Sequence, residues 1–368
     1  MAVYIILAIL TCIMAVMVEQ NNGMAVSENS TFALTNATRQ QVKNKSLIAM
    51  IFLALFGVSA CRIAIGHDYW EYTDIFNLIE QGRYVSTEFG FNLLVKICHF
   101  IFGTEGKSYI AIFAVIAFFT MFFFVRALCD QSENFGCSFF LFMVFGYYLS
   151  TFNSIRYYLV LAVAVYSVKF ILKKKYAHFV LCILLAAPFH MAVLFVLLAY
   201  PLALMKWNKW SVSVVSVIVV SLLVFPQFYR KLIFTFYPFY ENSVYDTGET
   251  SLINIARCIG TLVFALIYYK TALKDNRKNM FYFNLNVEAL IVYACCSFIP
   301  VISRIGFFLN IYQIFLIPSV IRSIPKKWQR TVITVFIALA GIGYYVFFLK
   351  SCEDDGTRIV PYLNWILN

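Results

Sequence analysis

The sequence predicts an all-α fold: a polytopic membrane helix bundle of about twelve spanning helices, with one more outer helix that is re-entrant or interfacial. Two observations predict this fold. Hydrophobic residues make up 62% of the 368 residues, and charged residues make up 13%, about half the share found in soluble domains. The apolar residues are also gathered into runs close to the roughly 20 residues that cross a bilayer.

The predicted spans follow these apolar runs in chain order. Their approximate bounds are 2–18, 46–61, 108–128, 134–150, 153–172, 176–189, 190–205, 211–228, 252–270, 281–301, 305–322 and 331–349. The pair 176–189 and 190–205 is short for two full spans and is consistent with a hairpin entering from the cytoplasmic side. Residues 89–103 are apolar but too short to span, so we predict the re-entrant or interfacial helix there.

The chain shows no dividing feature along its length. It contains no Pro-rich or Ser-rich linker and no repeat of fixed period, so residues 1–368 are predicted to form a single integral membrane domain. The ten cysteines form no CxxC pair and no metal-ligand spacing, and we expect them to behave as small buried hydrophobes. The sequence therefore predicts no metal and no other cofactor.

Basic residues in the loops orient the bundle. Lys and Arg cluster in the loops around 173–175, 206–209, 270–278 and 322–330, which fall on one side when the spans alternate. Cytoplasmic loops are enriched in these residues, so this side is the inner one and both termini lie outside. The net charge of +11 thus reflects topology, and with no soluble basic domain we predict no nucleic-acid partner.

Polar side chains recur in predicted outer segments from separate parts of the chain. These segments are Arg62-x-x-x-Gly66-His67-Asp68-Tyr69-x-x-Tyr72 with the following residues to Glu88, then Asn153-x-x-Arg156, then Pro188-Phe189-His190, then Arg304. Polar groups at membrane depth are costly and usually face a cavity. Because these share one predicted depth, we expect a common cavity that opens to the outside.

The residue types in this set suit a lipid-linked sugar diphosphate. Arginine presents a planar fork of donors that matches phosphate oxygens, carboxylates bind hydroxyl groups or accept protons, and aromatic faces stack on sugar rings. Each residue also has a structural alternative. Asp68 could cap a helix or pair with Arg62, Arg156 could extend to the membrane interface, and His190 could be a structural histidine.

At these residues the chain resembles the EpsG family of membrane proteins, which overlaps in role with Wzy-type O-antigen and exopolysaccharide polymerases. The resemblance covers roughly residues 1–350. Its sharpest parts are Arg62-x-x-x-Gly66-x-Asp68-Tyr69-x-x-Tyr72, Glu88-x-Gly90-Phe91, Phe152-Asn153-x-x-Arg156 and Phe189-His190. The chain departs from the family pattern at His67, where Thr is common, and at Tyr157, where Gln is usual.

The resemblance implies a glycosyltransferase that joins undecaprenyl-diphosphate-linked oligosaccharide repeat units on the periplasmic side of the bacterial inner membrane. A GT-C-like helix arrangement, a flippase and a chain-length regulator as partners, and the lipid bilayer itself belong to this expectation. The predicted catalytic residues are Asp68, His190 and Arg156. The predicted substrate-binding residues are Arg62, Tyr69, Tyr72, Glu88, Asn153 and Arg304.

Three alternatives remain open at the level of sequence. About twelve spans would also suit a lipid-linked oligosaccharide flippase or transporter, although such proteins usually place polar sites near the bilayer midplane. Another polyprenyl-phosphate-dependent glycosyltransferase would also place an acidic residue in an early outer loop. An acyltransferase would need a histidine that faces an acyl donor, and the chain has only four histidines.

Overall fold

The computed structural model describes residues 1–18, 39–236, 241, 250–299, 302–353 and 358–366. Nearly all of these residues form α-helices and short turns, and their one β-type pairing is an isolated antiparallel bridge between Arg62 and Asn364. The helices, in chain order, are α1 (Ala2–Val16), α2 (Arg39–Ala60), α3 (Tyr69–Glu80), α4 (Phe89–Phe102), α5 (Ile110–Gln131), α6 (Phe135–Val144), α7 (Tyr147–Ser150), α8 (Ile155–Leu172), α9 (Tyr176–Ala186), α10 (Val196–Leu202), α11 (Lys209–Val224), α12 (Pro226–Phe236), α13 (Leu252–Ile267), α14 (Arg277–Cys295), α15 (Ile302–Asn310), α16 (Gln313–Arg322) and α17 (Lys327–Ser351). The all-α prediction is confirmed.

Several of these helices have the length and apolar character of membrane spans. Within the described ranges they are α2 (Arg39–Ala60), α5 (Ile110–Gln131), α8 (Ile155–Leu172), the run Arg304–Arg322 that covers most of α15 and all of α16, and α17 (Lys327–Ser351). The bent pair α11 and α12 adds a sixth if it counts as one span, and six further apolar helices are shorter. This pattern is that of a multi-pass membrane bundle, and the total of about twelve spans stays a prediction.

Two predicted spans are broken in the structure. The span predicted over 134–150 divides into α6 and α7 because Gly146 adopts a left-handed backbone (φ +77°) between them. The span predicted over 211–228 bends by 83° where α12 begins at Pro226. Proline lacks the N–H that would continue the preceding helix, and its ring clashes with the previous turn.

The described residues belong to two compact units. The first comprises Met1–Val193 with Lys326–Asn368, and the second comprises Leu194–Pro325. The prediction of a single integral membrane domain stays a prediction.

In the first unit, α8 is the central helix. It packs against α5 and α9, α5 also packs against α2, and α1 packs against α2 and α6. Ala162, Ala164 and Ser167 are fully buried on α8, and small residues of this kind let membrane helices approach closely. One end of α8 is joined to α5 by an ion pair between Lys169 Nζ and Asp130 Oδ2 at 2.9 Å. The other end begins directly after the polar residues Asn153 and Ser154.

In the second unit, buried side-chain amides join α13, α14 and α16. Asn286 Nδ2 donates to the Cys258 carbonyl at 2.9 Å, and Gln313 Nε2 donates to Asn286 Oδ1 at 2.7 Å. Hydrogen-bonded amides of this kind hold membrane helices together because an unpaired amide in hydrocarbon is costly. With Asn279, Asn284, Asn286 and Glu288 along its length, α14 is not among the five long apolar helices.

Candidate functional site

The backbone that leads into Asp68 is held against the start of α8. Gly66 has a φ of +101° and packs directly on the Phe152 backbone, where a Cβ would lie 2.1 Å from the Phe152 carbonyl oxygen. His67 donates its backbone N–H to Asn153 Oδ1 at 2.9 Å. Asn153 is therefore a structural clamp on this segment, which accounts for its place in the Asn-x-x-Arg motif independently of any substrate.

Asp68 lies at the N-terminus of α3 and faces the same turn. Its Oδ2 accepts a hydrogen bond from Ser154 Oγ at 2.9 Å. The Asp68 side chain makes no capping hydrogen bond to the α3 backbone, although its carbonyl oxygen accepts from Tyr72 N–H at 3.1 Å. Because the carboxylate is only partly buried and is not used as a cap, it is available for chemistry at the surface of the unit.

Arg156 begins the first turn of α8 and forms an ion pair with Glu88. Its guanidinium lies over two aromatic rings, 5.3 Å from the centroid of Phe91 and 5.7 Å from that of Tyr72. The two charged side chains are only 18% and 22% exposed. The aromatic floor supports the planar cation by cation–π attraction and fixes its direction.

His190 approaches the same carboxylate from a third part of the chain. Its Nδ1 lies 3.9 Å from Glu88 Oε1, and the same Glu88 oxygen accepts the Met191 backbone N–H at 3.3 Å. The segment is anchored by the Gly90 N–H, which donates to the Pro188 carbonyl at 2.8 Å. Glu88 thus contacts both the Asn153-x-x-Arg156 segment and the Pro188-Phe189-His190 segment.

A short-range contact indicates the tautomer of a neutral His190. The Ala192 backbone N–H donates to His190 Nδ1 at 3.3 Å. An imidazole nitrogen that accepts a hydrogen bond carries a lone pair, so the neutral ring carries its proton on Nε2. His190 is in this form a hydrogen-bond donor at Nε2.

The two predicted tyrosines lie under the site. Tyr69 is 1% exposed and stacks on Phe113 with ring centroids 4.4 Å apart, and Tyr72 is 5% exposed beneath the guanidinium of Arg156. Burial raises the pKa of the Tyr72 phenol, which therefore stays neutral. Trp70, by contrast, is 47% exposed next to Tyr69. Of the aromatic residues in this motif, Trp70 is the one with a ring face accessible from outside the unit.

Arg62 is enclosed in the core of the first unit. It is 1% exposed, and its guanidinium carbon lies 4.8 Å from the centroid of Phe152 and 5.3 Å from that of Phe113. Within the described residues its hydrogen bonds go to the Ser59 carbonyl at 2.7 Å and to Ser59 Oγ at 3.0 Å. Burial lowers the pKa of Arg62 to about 10, so it stays protonated at neutral pH. In this state it supports the fold behind Asp68.

The structure therefore brings most of the predicted site together in the first unit. Asp68, Glu88, Asn153, Arg156 and His190 are all partly exposed and are joined by the contacts above. Ser154 was missed by the sequence reasoning, although it lies inside the Asn153-x-x-Arg156 motif. Arg304 lies on α15 in the second unit, and its assignment to the substrate site stays a prediction from the sequence.

Among the residues that the structure describes, no three His, Cys, Asp or Glu side chains are grouped as metal ligands. The ionisable groups that the contacts bring together at the site are one guanidinium, two carboxylates and an imidazole. Such a set can bind an anion, accept hydroxyl groups and move a proton.

The comparisons with known proteins agree with the motifs. The model of the EpsG family matches residues 45–364, which include every predicted site residue. No curated protein and no solved structure matches the chain.

Proposed function

The chain belongs to the EpsG family, whose members are Wzy-like polymerases, and we propose that it joins undecaprenyl-diphosphate-linked oligosaccharide repeat units into a polysaccharide. The product is an O-antigen, capsule or exopolysaccharide. The reaction takes place on the periplasmic side of the inner membrane, because the basic loops orient the Asp68 segment outward. A bundle of about twelve spans with a GT-C-like arrangement, a flippase and a chain-length regulator complete this proposal.

The observation that supports the proposal best is the cluster of Glu88, Arg156 and His190 beside Asp68. Three segments that are distant in sequence supply these groups, and all four side chains are partly exposed. A purely structural ion pair needs only two partners. Here the carboxylate of Glu88 is shared between a guanidinium and the imidazole segment, next to a second carboxylate that does not cap its helix.

Substrate binding begins with an exchange of anions at Arg156. The donor diphosphate replaces the Glu88 carboxylate on the guanidinium, because it carries more charge and its oxygens match the donor fork. The Tyr72 and Phe91 rings keep the cation in place during the exchange. Glu88, once released, is free to accept hydrogen bonds from sugar hydroxyls.

The chemical step is a glycosyl transfer. A hydroxyl oxygen of the acceptor repeat unit attacks the anomeric carbon of the donor glycan, and the bond from that carbon to the diphosphate oxygen breaks. Asp68 accepts the hydroxyl proton, and undecaprenyl diphosphate departs with the bonding electrons. Arg156 stabilises the negative charge that develops on the leaving group.

The tautomer of His190 determines which proton-transfer role belongs to His190 and which belongs to Asp68. Asp68 and His190 are both predicted catalytic residues, and either side chain could accept the hydroxyl proton. Because Nδ1 accepts from Ala192, a neutral His190 presents an N–H at Nε2 and is suited to donate to the leaving diphosphate. Asp68 is then the base, and Ser154 holds its carboxylate in one orientation.

The test is a set of single substitutions at the site, each with a matched control. Asp68→Asn, Arg156→Ala and His190→Ala are each expected to abolish long-chain polymer while the protein remains in the membrane. Asp74→Asn is the control, since Asp74 is an exposed carboxylate on the same helix as Asp68. Normal polymer from all three site variants would show that these residues do not form the active site.

The banding of surface glycan separates the polymerase from its rivals. A cell that lacks a polymerase displays single repeat units, so its ladder collapses to one rung. Loss of a flippase instead leaves the lipid-linked units on the cytoplasmic face, and loss of a single-sugar transferase shortens the unit itself. A full ladder without the chain would exclude the polymerase function.

A further inference from the structure

The C-terminal segment, residues 358–366, pairs with the backbone that leads into Asp68. Ile63 N–H donates to the Leu363 carbonyl at 3.1 Å, and Trp365 N–H donates to the Cys61 carbonyl at 3.1 Å. The Tyr362 hydroxyl also donates to the Val58 carbonyl at 3.0 Å. The segment is therefore bound along the whole exit of α2.

This pairing reaches the site at Gly66. The Gly66 N–H donates to the Arg358 carbonyl at 3.0 Å, two residues before Asp68. Phe152 packs against Gly66, and Asn153 binds the next N–H. The backbone before Asp68 is thus held both by the turn that carries Ser154 and Arg156 and by Arg358.

Arg358 occupies an unusual backbone conformation at this contact. Its φ is +47°, and Ala64, on the partner segment, has a φ of +55°. A left-handed backbone is strained for any residue with a side chain, and glycine would relieve that strain. Strained residues of this kind collect at functional sites, where the surrounding structure maintains them. An arginine at a position whose backbone favours glycine points to a role for its side chain.

The net charge of the site indicates what the role of the Arg358 side chain is. The accessible charged side chains of the first unit's cluster are Asp68, Glu88 and Arg156, so with a neutral His190 they sum to −1. The diphosphate that is proposed to bind there is itself strongly anionic. A further cation close to Asp68 would add to the attraction that Arg156 provides and would offset part of the repulsion.

We propose that Arg358 is a further anion-binding residue of this site and that its guanidinium contacts the diphosphate of the lipid-linked substrate. This inference rests on the proposed function. Arg358 is exposed, on a long side chain whose backbone is fixed one hydrogen bond from Gly66. The C-terminal segment then serves the site as the element that presents this cation.

Arg358→Gly separates a substrate contact from a structural role. Glycine adopts the left-handed conformation without strain and keeps the carbonyl that accepts from Gly66, so the fold should be retained or stabilised. The side chain is lost together with its charge and its contacts. Arg358→Lys keeps the charge, and Lys350→Gln removes another exposed cation of the same unit as a matched control.

The readout is the binding of undecaprenyl diphosphate to the purified full-length protein in nanodiscs of zwitterionic lipid, at low and at high salt. Arg358→Gly is expected to bind about three- to tenfold more weakly, with a smaller salt dependence and an undiminished Tm. Arg358→Lys should recover most of the affinity, and Lys350→Gln should match the wild type.

The outcomes that contradict the inference are distinct from those that contradict the function. Equal affinity of Arg358→Gly and wild type, together with weaker binding by Arg156→Ala, would overturn the role of Arg358 alone. A wild-type protein that does not bind undecaprenyl diphosphate would overturn the proposed function, and this inference with it.

Discussion

Gly66→Ala tests whether the contact between Gly66 and Phe152 sets the position of Asp68. A Cβ at residue 66 would lie 2.1 Å from the Phe152 carbonyl oxygen, about 0.9 Å inside the 3.0 Å that real Cβ atoms keep. The obstructing atom belongs to the backbone and cannot swing aside as a side chain would. The two segments must separate by roughly 1 Å, which moves Asp68 relative to Ser154 and Arg156.

Two costs follow from this change. Alanine at a φ of +101° is strained by about 1–2 kcal/mol, and the steric overlap adds roughly 1–3 kcal/mol. A displacement of about 1 Å at a catalytic group can lower a rate about a hundredfold. We therefore expect a moderate loss of stability and a loss of polymerisation rate that exceeds it.

The matched control is Gly82→Ala. Gly82 also has a positive φ (+67°), but a Cβ there would meet no atom within 4 Å. Gly82→Ala thus carries only the backbone strain. The assay compares the polymerisation rate per folded protein with the Tm of each variant in detergent. If Gly66→Ala and Gly82→Ala lose the same stability and the same activity, the contact with Phe152 does not position the site.

Two further substitutions test single side chains. Glu88→Gln removes the carboxylate that competes for Arg156, so undecaprenyl diphosphate should bind about three- to tenfold more tightly while the polymer yield falls. The control Glu71→Gln, on the exposed face of α3, should change neither the affinity nor the yield. Weaker binding by Glu88→Gln would contradict the exchange of anions at Arg156. Arg62→Met removes a buried charge that meets no carboxylate in the described part of the chain, so the Tm should not fall and polymer should still form. A stable variant without polymer would support the predicted role of Arg62 as a substrate ligand.

The sequence predicted the helical class because hydropathy reports burial in lipid directly. It did not predict the interruption at Gly146, because that break depends on tertiary structure. A Cβ on Gly146 would lie 3.1 Å from the ring of Phe348, some 200 residues further along the chain. The bend at α12 had a local cause in Pro226, and its sequence position alone could have indicated it.

The sequence also predicted part of the candidate site. Polar residues at the ends of apolar runs identified Glu88, Arg156 and His190, which the structure brings together. The enclosure of Arg62 was not predictable, because only the tertiary structure places Phe113 and Phe152 around it. The part played by residues 358–366 was hidden for the same reason, since their partners lie about 300 residues earlier in the chain.

Under the proposed function, the pairing of Arg156 with Glu88 has a role in turnover. A guanidinium that is only 18% exposed needs an anion, and without substrate the carboxylate provides one. Substrate binding then replaces one ion pair by another, so the net gain in free energy is smaller than either pair alone would suggest. The same competition helps undecaprenyl diphosphate to leave, because Glu88 can return to Arg156 as the product departs. An enzyme that must release a long-chain diphosphate after every added unit benefits from such a competitor. For this reason tighter binding and slower polymerisation should appear together in Glu88→Gln.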